Sequence, residues 1–77
     1  MQIQIIIFGQ LTDIINTSSL TLNNIADTDS LVSELNKLYP AMAETKYIMA
    51  VDKQTVTSNT ILKEASIVAL LPPFSGG

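Results

Sequence analysis

The chain has 77 residues, contains no cysteine and no histidine, and carries a net charge of −3 from four lysines against seven aspartates and glutamates. This length suits one domain, while the missing cysteine and histidine exclude a disulfide and leave a zinc site without its usual ligands. The acidic balance leaves no basic surface to bind nucleic acid. No apolar stretch approaches a membrane span. No basic region precedes the apolar N-terminal residues, so we expect a cytosolic protein without a signal peptide.

The N-terminal part of the chain predicts two paired strands. Residues 2–8 alternate in polarity, which is the period of a half-buried strand. Residues 9–10 are predicted to form a turn, and residues 13–19 a polar connection. Residues 20–23 alternate again and are expected to form a hairpin with the first strand. The apolar face of the first strand consists of Ile3, Ile5 and Ile7.

A single amphipathic helix follows. Thr28 is a suitable N-cap residue, and Leu31, Leu35 and Leu38 recur at i, i+4 and i+7, the spacing of one helical face. Pro40 is expected to end the helix, because the residue before a proline is disfavoured in the α conformation. The leucines are predicted to pack on the apolar face of the first strand, so we assign the helix a structural role.

The segment after the helix predicts a hairpin. Residues 47–51 form a third strand, Asp52 and Lys53 form its turn, and residues 54–58 form a short edge strand. Apolar residues before and after two turn-forming positions are typical of such a hairpin.

The last predicted strand completes a recognisable element order. Residues 59–65 are expected to be a loop with Ile61 and Leu62 packed inward, and residues 67–71 a strand. The order β-β-α-β-(β)-β with one main helix predicts an α+β fold, in which a mixed sheet wraps around that helix, known as the β-grasp. We expect residues 1–71 to form this domain.

One face of the predicted sheet has no helix to cover it. Strand alternation directs Ile6 and Phe8 away from the helix, together with one or two of Ile67, Ala69 and Leu71. An apolar patch on so small a domain suggests a surface that binds a partner. The alternative is that a loop folds over it.

Residues 72–77 are predicted to be an extended, flexible tail, with the sequence Pro72, Pro73, Phe74, Ser75, Gly76 and Gly77. Each proline fixes φ and lacks an N–H group for sheet pairing, and the two glycines lack Cβ atoms, which leaves the end slim. Six extended residues reach roughly 20 Å, far enough to place a terminal carboxylate inside another protein's active site. The alternative is a frayed terminus without function.

The chain resembles the ubiquitin-like sulfur carriers, and among them the small subunits of molybdopterin synthase. The resemblance covers nearly the whole length and rests on residues 7–11, on Val51 with its following turn, on residues 60–62 and, most specifically, on residues 68–77. The chain departs from the family pattern at Asp52-Lys53, at residues 63–66, which lack the usual Asp-Gly-Asp turn, and at Phe74, where valine is commoner.

The resemblance implies that Gly77 is the reactive group. An ATP-dependent activating enzyme would adenylate its carboxylate, and a sulfur donor protein would displace AMP to leave a thiocarboxylate. The large subunit of the synthase, in a heterotetramer with this chain, would accept the tail and use the sulfur to build the dithiolene of molybdopterin. The chain itself is expected to bind no cofactor and to have no catalytic machinery of its own, since ATP is used by the activating enzyme.

The resemblance also implies roles for the other residues of the site. Gly76 would give clearance, Pro72 and Pro73 would stiffen the tail, and Phe74 would be buried where the tail enters the partner. Phe8 and Leu71 match family positions that contact the large subunit. Ser75 belongs to the tail but cannot act as an activated nucleophile, because the chain has no histidine to serve as its base.

Two rival functions remain open from the sequence. The first is a sulfur carrier for thiamine synthesis or tRNA thiolation, or a ubiquitin-like modifier whose Gly77 forms an isopeptide bond. The second belongs to a different class, a non-catalytic β-grasp interaction domain with an inert tail.

Overall fold

A computed structural model describes residues 2–73, and the elements follow the predicted order with two additions. The strands are β1 (Gln2–Ile7), β2 (Ser19–Asn23), β3 (Ile48–Val51), β4 (Gln54–Val56) and β5 (Ile67–Leu71). The helices are α1 (Leu11–Ile15), α2 (Thr28–Leu38) and a 3₁₀-helix, Pro40–Glu44. Phe74, Ser75, Gly76 and Gly77 lie outside the described residues, so the division into a domain and a tail of residues 72–77 stays a prediction.

The five strands form one mixed sheet in the order β2-β1-β5-β3-β4. The neighbouring interior strands β1 and β5 are parallel, with Gln4 opposite Ile67 and Ile7 opposite Leu70. The other three pairings are antiparallel: β2 with β1, β3 with β5, and β4 with β3. This mixed sheet with one main helix confirms the predicted β-grasp fold.

The hydrophobic core lies between α2 and one face of the sheet. Leu31 and Leu35 of α2 are fully buried, as are Ile5 of β1 and Leu70 of β5. At about 1.5–3 kcal/mol for each large apolar side chain removed from water, this cluster is the main source of stability in a chain without cysteine. The buried hydrophobic residues are Ile3, Ile5, Ile7, Leu11, Ile15, Ile25, Leu31, Leu35, Met42, Met49, Val51, Leu62, Val68 and Leu70.

The cap of α2 is Asp27 rather than the predicted Thr28. Asp27 has extended backbone angles, and its carboxylate accepts a hydrogen bond of 2.9 Å from the Ser30 N–H. Thr28 is the first helical residue, and its hydroxyl instead accepts a 2.9 Å hydrogen bond from the Thr60 N–H. The Thr28 hydroxyl therefore holds the loop before β5 against the helix.

The same loop is also held by Asn59. Its side-chain oxygen accepts a hydrogen bond of 2.9 Å from the Asp29 N–H, and its side-chain nitrogen donates one of 3.1 Å to Asp27. The loop thereby satisfies helix N–H groups that have no partner within the helix.

Two residues that were predicted to lie in the core are exposed. Leu38, the last residue of α2, is 48% exposed, because the chain leaves the helix axis at Tyr39 and the following 3₁₀-helix contributes Met42 to the core. Ile61 is 71% exposed, although the prediction for Leu62 is confirmed. Ile61 forms an isolated antiparallel bridge with Asp27, and in such an extended segment neighbouring side chains point in opposite directions.

Helix α1 was not predicted. Its segment overlaps the expected polar connection of residues 13–19, yet Leu11 and Ile15, four residues apart on one helical face, are both buried. The helix ends at Asn16, which has a left-handed φ of 66° and donates its N–H to the Thr12 carbonyl. None of the helices within residues 2–73 is long and apolar enough to span a bilayer.

The predicted turn at Asp52 and Lys53 is confirmed. Both residues have positive φ angles, 47° and 75°, as expected in a two-residue hairpin of type I′. Asp52 also connects this hairpin to β5, because its carboxylate accepts the Ile67 N–H at 3.0 Å and its own N–H donates to the Ile67 carbonyl at 2.9 Å. The edge strand β4 is shorter than the expected residues 54–58.

The α2 cap predicts a defined pH dependence of stability. Hydrogen bonds from Ser30 and from the Asn59 side chain hold the pKa of Asp27 below its ordinary value of 3.8. The carboxylate therefore contributes stability that is fully present above the unfolded-state pKa and is lost as the pH falls through the lower folded-state pKa. Asp27→Asn keeps a capping oxygen but cannot titrate, so its free energy of unfolding should fall less steeply than that of the wild type between about pH 5 and pH 2.

Urea denaturation across this pH range measures the effect. Asp29→Asn is the matched control, because it removes one carboxylate from the same helical turn without removing the cap. Equal slopes for the wild type and Asp27→Asn would contradict the assignment of Asp27.

Candidate functional site

The sheet face opposite α2 is apolar and partly exposed. Its apolar residues come from the three central strands: Ile6, Phe8, Ile48, Ala50, Ile67, Ala69 and Leu71, which we call the open face. Phe8 is 46% exposed and Ile67 is 47% exposed, whereas the alternate residues of the same strands are buried in the core. The structure therefore places Ile6 and Phe8 on this face as predicted. It also places all three β5 candidates there, of which only one or two were expected, and β3 adds two residues that the sequence analysis did not name.

A depression of about 270 Å³ lies in the open face. Its apolar part is formed by Ile6 and Phe8 from the β1 segment together with Ile67 and Ala69 from β5, and its polar rim is the β3–β4 turn, Asp52 and Lys53. The Asp52 carboxylate already accepts the Ile67 N–H. The depression can therefore accept an apolar side chain of a partner, and Lys53 of this chain places one cationic side chain beside it.

The tail starts at the end of the open face. The Phe8 N–H donates a 3.0 Å hydrogen bond to the Leu70 carbonyl, which continues the β1–β5 pairing past the end of β1. Leu71 ends β5, so Pro72 and Pro73 leave the sheet beside Phe8. The structure thus brings together four of the predicted site residues: Phe8, Leu71, Pro72 and Pro73. The predicted roles of Phe74, Ser75, Gly76 and Gly77 concern residues outside the described part of the chain.

Gly9 is a site residue that the sequence analysis treated only as part of a turn. Its φ is +61°, and a Cβ atom at this position would lie 2.7 Å from Pro72 Cγ and 3.3 Å from Pro72 Cδ. The proline ring therefore packs directly against the Gly9 backbone. The parallel pairing of β1 with β5 explains the contact, because parallel strands end at the same edge of a sheet and the residues just beyond them become neighbours.

A larger groove, of about 670 Å³, lies between α2 and the β3–β4 hairpin and contains no residue of the Pro72-Pro73 segment. It is lined by several threonine and serine hydroxyls, by Asp29 and by Tyr47. Burial raises the pKa of the Tyr47 hydroxyl, which therefore stays protonated at neutral pH. The residues lining this groove include neither histidine nor lysine to activate a hydroxyl nucleophile.

The fold and the open face define a protein of the ubiquitin-like, β-grasp class. A family model described as the ThiS family matches residues 5–77. The match covers nearly the entire chain, so this protein belongs to the ThiS family, as the resemblance to ubiquitin-like sulfur carriers indicated. A search of curated proteins found no significant match.

Solved structures share the fold at low sequence identity. A putative molybdopterin converting factor, subunit 1, from Pyrococcus furiosus is 18% identical, with a TM-score of 0.85 over 95% of this chain and 98% of that chain. SAMP1 from Haloferax volcanii is 15% identical, with a TM-score of 0.81 over 99% of both chains. A chain in the complex of subunits 1 and 2 of the molybdopterin-converting factor from Helicobacter pylori is 21% identical, with a TM-score of 0.67 over 100% of both chains.

The exposure of Phe8 predicts a small role in folding. Phe8→Ala should change the free energy of unfolding by less than about 1 kcal/mol, because half of the ring is already in water. Ile5→Ala, on the covered face of the same strand, should cost about 2–5 kcal/mol, because it leaves a cavity in the core. Urea denaturation of both variants tests this contrast, and a Phe8→Ala loss as large as that of Ile5→Ala would mean that Phe8 belongs to the core.

Proposed function

We propose that this protein is the sulfur carrier subunit of molybdopterin synthase. The observation that carries the proposal is that the family match extends through the tail, to Gly77. Residues 68–77 are also the most specific part of the resemblance to the small subunits of the synthase.

The structural relatives support the assignment of the pathway. Two of them are described as subunits of molybdopterin converting factors, and one of these is a complex of two different subunits. At 18% and 21% identity they share the fold, and their descriptions provide the candidate pathway. The open face of this chain, with its half-exposed Phe8, is the surface that we propose contacts a large subunit.

The chemistry would take place at the main-chain carboxylate of Gly77. An α-carboxyl group has a pKa of roughly 3.3–3.7 and is therefore an unreactive carboxylate at neutral pH. In the proposed cycle a carboxylate oxygen attacks the α-phosphorus of ATP on the activating enzyme, which forms the acyl adenylate and releases pyrophosphate. Hydrosulfide (HS⁻), supplied by a donor protein, then attacks the carbonyl carbon, the acyl–phosphate bond breaks, AMP leaves, and loss of the sulfur-bound proton leaves a thiocarboxylate.

The tail would then deliver sulfur in the large subunit. The thiocarboxylate sulfur bonds to a carbon of the pterin precursor, from which an oxygen substituent leaves. Water then cleaves the acyl–sulfur bond, so that the sulfur stays on the precursor and Gly77 regains its carboxylate. Two such transfers supply the two sulfurs of the dithiolene. Because the activating enzyme and the large subunit provide the catalytic groups, this chain has to supply only a docking surface and a carboxylate that can reach both active sites.

The residues of the tail have separate tasks in this proposal. Pro72 and Pro73 restrict the backbone before binding, which reduces the conformational entropy lost on insertion. Phe8 and Leu71 contact the large subunit, and Phe74 and Ser75 occupy the entrance of its active site. Gly76 lets the chain pass without a side chain next to the reacting carbonyl.

A ubiquitin-like modifier is the second candidate. It is favoured by the match to SAMP1 from Haloferax volcanii over 99% of both chains. Another matching structure from the same organism is described as a small archaeal modifier protein 1. Both candidates require an adenylated Gly77. They differ in the acceptor of the Gly77 acyl group, which is sulfur in the sulfur carrier and a lysine amine of a target protein in the modifier.

The first prediction from the proposal concerns the terminus. Incubated with ATP, magnesium, an activating enzyme of this family and a sulfide source, the protein should gain the mass difference between one sulfur and one oxygen, localised to Gly77. Gly76→Val should fold normally but convert poorly, because its side chain widens the segment that enters the active site. Deletion of Gly77 should be at least as harmful.

Intact-mass and tandem mass spectrometry measure the conversion. A carrier known to be converted by the same enzyme serves as the positive control. An unchanged mass beside a converted control would overturn the proposal, and conversion of Gly76→Val at the wild-type rate would overturn the role of Gly76. Isopeptide-linked adducts on lysines, without a thiocarboxylate, would favour the modifier.

A second prediction concerns the open face. Phe8→Ala or Leu71→Glu should weaken binding to the large subunit by about 2 kcal/mol or more, roughly thirtyfold, while each variant keeps its fold. Ile61→Ala is the matched control, since Ile61 is 71% exposed but lies in the loop before β5. Titration calorimetry measures the affinities, and an unchanged affinity for both open-face variants would assign the interface to another surface.

A further inference from the structure

We propose that Gly9 is a positioning residue for the tail. Because Gly9 has no side chain, the Pro72 ring packs against the Gly9 backbone, a contact that we call the seat. This contact sets the direction in which the chain continues beyond Pro72. This inference rests on the proposed function, because it concerns how the same terminus reaches an active site. It is carried by the contact between Gly9 and Pro72, which no local sequence pattern records.

The seat is held in place from the Gly9 side. The Gly9 carbonyl accepts a hydrogen bond of 3.2 Å from the Thr12 N–H and one of 2.8 Å from the Thr12 hydroxyl. Thr12 belongs to α1, whose Leu11 and Ile15 are buried in the core. Gly9 is therefore fixed between the end of β1 and a helix that is itself anchored.

The tail side of the contact is held by the sheet. The Leu70 carbonyl accepts the Phe8 N–H at 3.0 Å, and Leu70 is fully buried. Pro72 follows two residues later, and its ring is closed onto its own backbone nitrogen, so the ring cannot move without moving the main chain. Together these constraints determine where residue 73 begins.

A side chain at position 9 would disturb this arrangement directly. A Cβ atom 2.7 Å from Pro72 Cγ is closer than van der Waals contact allows, so Pro72 would have to shift. A shift of Pro72 changes the direction in which the main chain enters Pro73, and therefore the point from which the rest of the tail starts. Misplacement of a reacting group by even about 1 Å can reduce a rate by about a hundredfold.

The expected kinetic effect separates positioning from docking. Gly9→Ala changes no side chain of the open face, so the KM of the carrier for the activating enzyme should stay within about twofold of the wild type. The kcat should fall by about tenfold or more, because the carboxylate is presented off its reactive position. A merely structural role would instead lower the fraction of folded protein and leave the kcat of that fraction unchanged.

The experiment compares Gly9→Ala with three further variants in ATP–pyrophosphate exchange and thiocarboxylate formation. The double variant Gly9→Ala/Pro72→Ala removes the Cγ and Cδ atoms that the new Cβ would meet, and it should recover the kcat to the level of Pro72→Ala alone. Asn16→Ala is the matched control for backbone strain, since Asn16, at the C-terminal end of α1, has a similar φ of 66°. It should lose stability while keeping the wild-type kcat.

An NMR measurement keeps the inference testable if Gly9→Ala fails to fold. In the wild-type protein, nuclear Overhauser contacts should join the Gly9 Hα protons to the Pro72 ring, and their absence would overturn the proposal. A folded Gly9→Ala with the wild-type kcat, or a double variant no faster than Gly9→Ala, would overturn it as well. If the wild type itself is not activated beside a converted control carrier, it is the proposed function that fails, so the two failures are distinguishable.

Discussion

The parallel pairing of β1 with β5 is the constraint on which the rest of the structure depends. It places the first and last strands of the chain at the centre of the sheet, with Ile5 and Val68 side by side and fully buried. Parallel strands also end at the same edge, so the residues after β1 and the start of the tail become neighbours. The seat at Gly9, the hydrogen bond from Phe8 to Leu70 and the position of Pro72 all follow from this pairing.

The single main helix covers one face of the sheet and makes the two faces different. α2 covers one face and contributes Leu31 and Leu35 to the core, while its N-terminus is capped by Asp27 and holds the loop at Asn59. The opposite face keeps its apolar residues partly in water, since Phe8 and Ile67 are each about half exposed. Exposed apolar area of this kind lowers solubility unless a partner covers it. In the proposed complex, stability and binding would use different side chains of the same strands, and the binding surface could vary without loss of the core.

The elements with a clear period were predictable from the sequence. The bounds predicted for the last strand agree with β5, and the stop at Pro40 agrees with the end of α2. Helix α1 was missed because five residues with one buried i, i+4 pair are too short to show a period. The burial of Leu38 and Ile61 was mispredicted because residues at the ends of elements are covered or exposed according to where the next segment runs, and Met42 takes the core position instead.

The sequence by itself determined the β-grasp order, the alternation that assigns Phe8 and Leu71 to the open face, and the composition of the tail. These properties are local, since each depends on residues close together in the chain. Only the tertiary structure decided that Asp27 caps α2 while Thr28 binds the loop, and that Gly9 meets Pro72. The Thr28–Thr60 hydrogen bond and the Gly9–Pro72 contact join segments far apart in the chain. The packing of the sheet and helix sets the distance between those segments, and hydrophobic periodicity carries no record of it.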